Sequence, residues 1–315
     1  MSEYQYYEFQ AIDKSLNRDQ MLDLRGLSSR AEITPRRFKN VYNFGDFKGK
    51  PRALMEQYFD GFVYEANWGA RQLMLKLPAA SVNFVEASQF CSGEKVECWE
   101  KNGHVLFDFY VETEDSRYID DEESEQWLDS LLDLRNEIGS GDMRALYLAW
   151  LSSVELNEKD LDQAGPKIPP NLEDLSDALE TLTEFLRVDE DLIQAAIKLR
   201  AEGLIAPSGN SLSAVADVIC EERKKAEAKE AALQKERHFA ELEARAPYMW
   251  PTVESHLSTS RSSLHEKAIE IMKELAEMAK HRGCSNEFQK RIAQIYSANL
   301  KRPSIVRRIQ EAKLV

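Results

Sequence analysis

Carboxylates are the commonest chemistry-bearing side chains in this sequence, and they crowd into one stretch. Eleven acids stand between Glu112 and Glu137, among them Asp120, Asp121, Glu122 and Glu123, against only Arg117 and Arg135. Two carboxylates at a fixed separation can run acid–base chemistry, but nothing in this pattern singles out one pair. The run therefore reads as a solvated surface, with a docking patch for a basic partner as the functional alternative. A divalent-cation site would call for a calcium-loop spacing, D-x-[DN]-x-[DN]-G, and that spacing is absent. No metal ligand set is assigned.

The opposite charge gathers at the other end. From Lys280 onward nine basic residues face Glu287 and Glu311, a local net charge of +7 in a chain of −14. Clustered cations are what phosphate neutralisation requires. Aromatics that could stack on bases are few there, Phe288 and Tyr296, and both fall on an apolar stripe. Three readings follow: a face paired with acids of the same molecule, a site for an acidic protein, or a nucleic-acid contact. The candidate partner-binding residues are Lys290, Arg291, Lys301, Arg302, Arg307 and Arg308.

Other constellations are thinner. The histidines (104, 238, 256, 265 and 281) show no H-E-x-x-H and read as solvated side chains. Cys91, Cys98, Cys220 and Cys284 are scattered. None makes the C-x2-C of a zinc knuckle, and reduced thiols in a cytoplasm are expected, with a Cys91–Cys98 redox pair as the alternative. No G-x-S-x-G, Walker A or G-x-G-x-x-G motif is present. Gly139-Ser140-Gly141 before a helix could seat an anion, though a plain turn between helices accounts for it. No cofactor is implied, and the catalytic residues of any enzymatic activity are unknown. Were there an enzyme site, the cluster Tyr58, Asn67, Trp68 and Arg71 would be its place.

The elements that would position these residues divide the chain. In the first part, Tyr4 to Ala11 alternates as a half-buried strand, and Asn17 caps a short helix carrying Met21, Leu24 and Leu27. A strand is expected near Arg37–Asn43, then a helix opened by Pro51 whose three-to-four spacing runs from Leu54 to Val63. Arg71–Leu77 follows as a strand. Lys95–Val111 is a hairpin cut by Asn102-Gly103, a dipeptide suited to a type I′ turn, with Val96 opposite Phe109 and Cys98 opposite Phe107. The fold class is thus an α+β domain over residues 1–156, a mainly antiparallel sheet with helices on one face, with a ferredoxin-like arrangement as one option.

Residues 157–171, with Gly165, Pro166, Pro169 and Pro170, form the expected linker. Residues 172–315 read as an all-α region. Its longest element is a charged helix of about 211–246, roughly 54 Å long and stopped by Pro247. Ile219, Ala226, Leu233 and Ala240 recur every seven residues, but the other core position is charged. A solvent-exposed helix is expected there rather than a coiled coil.

The blocks YYEFQAID, LRGLSSRAEITP, NFGDFKGKPRALMEQYFDGFVYEANWGARQLMLKLP and KRPSIVRRI resemble an uncharacterised bacterial protein family, most clearly over residues 4–80. The resemblance implies a bacterial cytoplasmic origin and supplies no activity, cofactor or site residue. The charge asymmetry points to a non-enzymatic interaction or scaffold protein, cytoplasmic, with a protein partner and room for oligomerisation. An enzyme with a site in the first domain and a nucleic-acid-associated protein using the basic C-terminus are the alternatives. The N-terminus lacks a secretory signal pattern, and no apolar run is long enough to span a membrane.

Overall fold

The structure of the protein, a computed structural model, describes residues 3–91, 95–113, 121–154 and 162–315, with the backbone alone at 121–123. The chain divides into two compact units, Met1–Glu221 and Glu222–Val315.

The first unit is built on a sheet of seven strands, all paired antiparallel: β1 Gln5–Gln10, β2 Glu32–Ile33, β3 Arg37–Tyr42, β4 Gly61–Ala66, β5 Ala70–Pro78, β6 Val96–Lys101 and β7 His104–Glu112. Their order is β2-β3-β1-β4-β5-β7-β6. Two short helices, α1 Arg18–Leu27 and α2 Pro51–Gln57, precede β2 and β4. Behind β5 come a single turn, α3 Phe84–Ala87, and a 3-10 turn, Ser88–Phe90. After β7 the chain turns helical: α4 Asp121–Leu131, α5 Leu134–Gly139, α6 Arg144–Val154, α7 Asp177–Leu186 and α8 Glu190–Ala201. The first six elements, β1-α1-β2-β3-α2-β4, take the ferredoxin-like split arrangement: β3 lies between β1 and β2, the strand that follows α1, and β4 pairs with the other edge of β1.

Local chemistry accounts for several of these elements. Asn17 and Gln20 form a reciprocal capping box that starts α1, and Pro51 occupies the first turn of α2. The β6–β7 hairpin turns at Asn102 (φ 51°) and Gly103 (φ 76°), both left-handed as a type I′ turn demands. Its register pairs Val96 with Phe109 and Cys98 with Phe107.

Two expectations are corrected here. The apolar spacing from Leu54 to Val63 is not one helix: α2 ends at Gln57, and Phe62 and Val63 belong to β4. Two fully buried neighbours pointing to opposite faces satisfy a central strand as well as a helix stripe, and pairing with both β1 and β5 decides for the strand. Helices also cover both faces of the sheet, not one. On the first face Phe9, Phe38, Phe62, Met74 and Leu106 pack with Leu24 of α1 and Leu54 and Met55 of α2. Phe9 and Phe62 lie 4.3 Å apart by ring centroid, and Phe9 and Phe59 5.1 Å. On the second face Val63, Leu73, Leu75, Phe107 and Phe109 meet α4 to α8. Each fully buried ring or Leu contributes about 1.5–3 kcal/mol. β1 is accordingly buried on both sides rather than half-buried.

The proline-containing stretch, described from Asp162 onward, lies within the first unit and not at its border. Gly165 N–H donates to the Pro207 carbonyl at 3.0 Å and Ile168 N–H to that of Ile205 at 2.8 Å. Ile168 and Leu172 join the same apolar core as Leu212 and Ala216.

Those last two residues open α9, Gly209–Ser258. This helix was expected to stop at Pro247, but it runs on through Pro247 and Pro251. Both prolines are exposed, so the carbonyls they leave unpaired sit where water can reach them. Phe239, Leu242, Val253 and Leu257 bury one stripe of the helix on either side of the prolines. Residues 221–235 are exposed on every side, in line with a solvated rather than coiled-coil helix, and Arg223 pairs there with Glu227 at 3.7 Å.

The second unit completes itself with α10 Ser262–Arg282, α11 Ser285–Ala298 and α12 Pro303–Glu311. Its core gathers Ala268, Met272, Leu275, Ile292, Ile305 and Ile309 around the α9 stripe. Gly283 (φ 72°) caps α10, and Pro303 begins α12. Among the described residues no helix is long and apolar enough to cross a membrane.

Candidate functional site

The second face of the sheet turns polar towards β3, beneath α4. Glu8 is fully buried and held by Arg37 Nε at 2.7 Å, the Tyr6 hydroxyl at 2.6 Å and the Gln10 amide at 3.1 Å. Burial, and then the Glu8 charge, push the Tyr6 phenol far above its ordinary range. Glu65 is equally buried. Arg71 meets it through Nε at 2.9 Å and a terminal nitrogen at 2.8 Å, while Ser124 Oγ and Trp127 Nε1 donate to its other oxygen at 2.8 and 3.0 Å.

Arg71 does more than neutralise Glu65. It donates to the carbonyls of Glu184 (3.1 Å) and Phe185 (3.2 Å) at the end of α7, where a cation suits the helix dipole. Its guanidinium also stands 4.9 Å from the Trp127 ring centre. Each buried charge faces an opposite one, so the arrangement clamps α4 and α7 to the sheet.

The expected acidic patch is used in part for the same purpose. Asp120 lies outside the described residues, as do the side chains of Asp121, Glu122 and Glu123 in the first turn of α4. Further along that helix Glu125 pairs with Lys39 at 2.8 Å, and Asp129 accepts from the Gln10 amide at 2.5 Å.

The residues considered for an enzyme site do not converge. Tyr58 reaches Asp23 at 3.5 Å, Asn67 Oδ1 accepts from the Tyr4 N–H at 3.1 Å, Trp68 is exposed, and Arg71 is consumed as described. None of them lines the three concavities described below. Among the described residues no three His, Cys, Asp or Glu side chains come together as metal ligands would.

In the second unit the arginines of the basic set are engaged internally. Arg291 meets Glu254 at 2.6 Å, Arg307 meets Glu311 at 3.5 Å, and Arg308 meets Glu266 at 2.9 Å and Ser262 at 2.6 Å. Arg302 donates to the carbonyls of Leu257 and Thr259 at the end of α9. Lys290 and Lys301 differ. Both are exposed and, like Lys280 and Lys313, have no ion pair among the described residues.

One concavity in the first unit encloses about 550 Å³ between α3, the start of α6 and residues 167–171, over a floor of Phe90, Met143, Ile168 and Pro169. Gly141 lies on its wall, but the helix N-terminus beside it is already occupied: Asp142 accepts from Arg144 N–H at 2.9 Å and pairs with the Arg144 guanidinium at 2.7 Å. That partnership holds the Asp142 carboxyl below its usual range despite some burial. Two smaller concavities, about 410 and 390 Å³, lie along α9 and α11 of the second unit and share Arg291.

Two further groups have shifted acidities. Burial raises Asp108 to about 6, against the hydrogen bond it accepts from Gln72 at 2.7 Å. Cys91 and Cys98 act on one another's acidity, which lowers the Cys98 thiol and raises that of Cys91, while the Cys91 S–H donates to the Ala87 carbonyl at 3.7 Å. The ion pairs beneath α4 escaped the reading of the sequence, yet they had a signal. Glu65 and Arg71 occupy directly opposed strand positions, flanking Asn67-Trp68-Gly69, and a charge at an inward-facing strand position requires a partner.

No protein-family model, curated protein or solved structure matches this chain.

Proposed function

We propose that this chain is a non-enzymatic interaction protein of the cytoplasm whose second unit engages an acidic protein surface. The observation that carries this reading is how charge divides at Glu221–Glu222. Residues 222–315 hold nineteen Lys and Arg against thirteen Glu and no Asp, a net +6, which leaves −20 for the first unit. Unlike charges on separate compact units steer partners of matching sign and raise association rates more than they add affinity.

An acidic protein suits the second unit better than nucleic acid does. Arginine forks are the usual readers of phosphate, and those of Arg291, Arg302 and Arg308 already face glutamates or helix-end carbonyls. What stays open is lysine. Phe288 is packed in the core and Tyr296 against it, so neither offers a free stacking face.

The test is retention of the purified chain on poly-L-glutamate and on a duplex DNA as salt rises from about 50 to 200 mM. The expected result is salt-sensitive retention on polyglutamate, lost in Lys290→Glu/Lys301→Glu, with weaker binding to DNA. Equal or tighter DNA binding that the same variant abolishes would replace this reading with the nucleic-acid one. Retention on neither polymer would end both.

A further inference from the structure

Seven positions apart in sequence, Cys91 and Cys98 are brought together by the fold. Cys91 follows directly on the 3-10 turn Ser88–Phe90, and Cys98 sits at the middle of β6. Both are half-buried free thiols packed against the same apolar cluster, which includes Ala87, Phe90, Val96 and Phe107. The register of β6 on β7 fixes one of them, because Cys98 lies opposite Phe107 and so points towards the 3-10 turn. Cys91 also lies within 3.7 Å of the Ala87 carbonyl, so its sulfur is anchored from the other side.

We propose that Cys91 and Cys98 form an oxidisable dithiol, a modification site at which a hydroperoxide closes an intramolecular disulfide. The two sulfurs have unequal roles. The proximity of Cys91 lowers the Cys98 thiol, whereas the proximity of Cys98 and then burial raise that of Cys91. Cys98 is therefore the attacking thiolate. Its electron pair forms an S–O bond to the peroxide as the O–O bond breaks, giving a sulfenic acid, and the departing oxide takes up a proton as water or alcohol. Cys91 then attacks the Cys98 sulfur. The S–S bond forms, the S–O bond breaks, and hydroxide leaves with the Cys91 proton as water. Two thiols are oxidised by two electrons and one peroxide is reduced, so the step balances.

The site borders the concavity of about 550 Å³ in the first unit, since Val85, Glu86, Gln89 and Phe90 line it immediately before Cys91. Closing the disulfide would tie the end of this wall to β6.

Titrating the purified full chain with hydrogen peroxide and counting thiols after denaturation tests the proposal. The expected result is a fall from four free thiols to two and an intact mass lower by about 2 Da. Trypsin should then release residues 77–95 joined to residues 96–101, and dithiothreitol should reverse all three changes. In Cys91→Ser the sulfenic acid should persist on Cys98 and be trapped by dimedone, while Cys98→Ser should consume peroxide no faster than Cys220 or Cys284 do. Linkage involving Cys220 or Cys284, disulfides only between chains, or four thiols lost independently would each overturn it. The wild-type mass and peptide readouts decide the matter even if a serine variant folds poorly.

Discussion

Replacing Arg71 by alanine should unseat α4 and α7 together. The substitution leaves Glu65 at 1% exposure without its counter-charge, and it removes the donors to the Glu184 and Phe185 carbonyls. Breaking a buried pair by taking away one partner costs about 3–5 kcal/mol. For a unit of this size that corresponds to a midpoint lowered by roughly 6–20 °C. Four of the five tryptophans lie in the first unit, so fluorescence-monitored urea unfolding in a Trp250→Phe background reports on that unit alone. The companion variant Glu65→Gln/Arg71→Met removes both charges at once, keeps an oxygen for Ser124 and Trp127, and should recover at least half the loss. A loss below about 1 kcal/mol for Arg71→Ala, the range of an exposed pair, would refute the reasoning. So would a double variant no more stable than the single one.

Three other outcomes follow from the described geometry. Asp108 has a folded acidity raised to about 6 by burial, so the folded chain holds its proton more readily than the unfolded one, and stability associated with it is lost as pH rises from about 4 to 6. Asp108→Asn should therefore unfold later than wild type at pH 8, by up to about 2–3 kcal/mol, and show no advantage at pH 4; a pH-independent difference in urea midpoints would contradict this. Pro251→Ala restores a hydrogen-bond donor inside α9 and should raise the stability of the second unit by about 1–3 kcal/mol, seen as a later Trp250 transition on heating, whereas an earlier one would mean that the proline is required. Gly61→Ala sets a methyl group 2.6 Å from Leu132 Cδ2 and 3.2 Å from Leu128 Cδ1, and the overpacking should cost about 1–3 kcal/mol in chemical unfolding. A neutral result would show that Leu132 simply turns aside.

What the sequence made legible is the local chemistry. The Asn102-Gly103 turn needs only two residues of left-handed backbone, and the register of the hairpin follows from it. Asn17 with Gln20 announces the start of α1 by a hydrogen bond that spans three residues. Phe62 and Val63 were misread because a fully buried strand loses its alternation, and only pairing partners about 50 residues before and 10 after distinguish it from a helix. The helix α7 falls within the all-α reading of residues 172–315, and its local marks are the Ser176 cap and the stripe of Leu179, Leu182, Phe185 and Leu186. The Cys91–Cys98 pair was visible as a spacing, and its contact depends on a 3-10 turn that the spacing does not reveal.

The core of the first unit draws on Leu212 and Ala216, some sixty positions beyond α6. A ribosome adding roughly 5–20 residues per second would release the sheet several seconds before the helical segment that finishes covering it. During that interval the face bearing Leu73, Leu75, Phe107 and Phe109 is only partly sheltered, and holding it open to solvent invites association with other nascent chains. A fragment cut at residue 156 freezes the molecule in that interval, whereas one cut at residue 221 lets the unit close. Recombinant pieces of this chain should be soluble or not according to which side of α9's first turns they end.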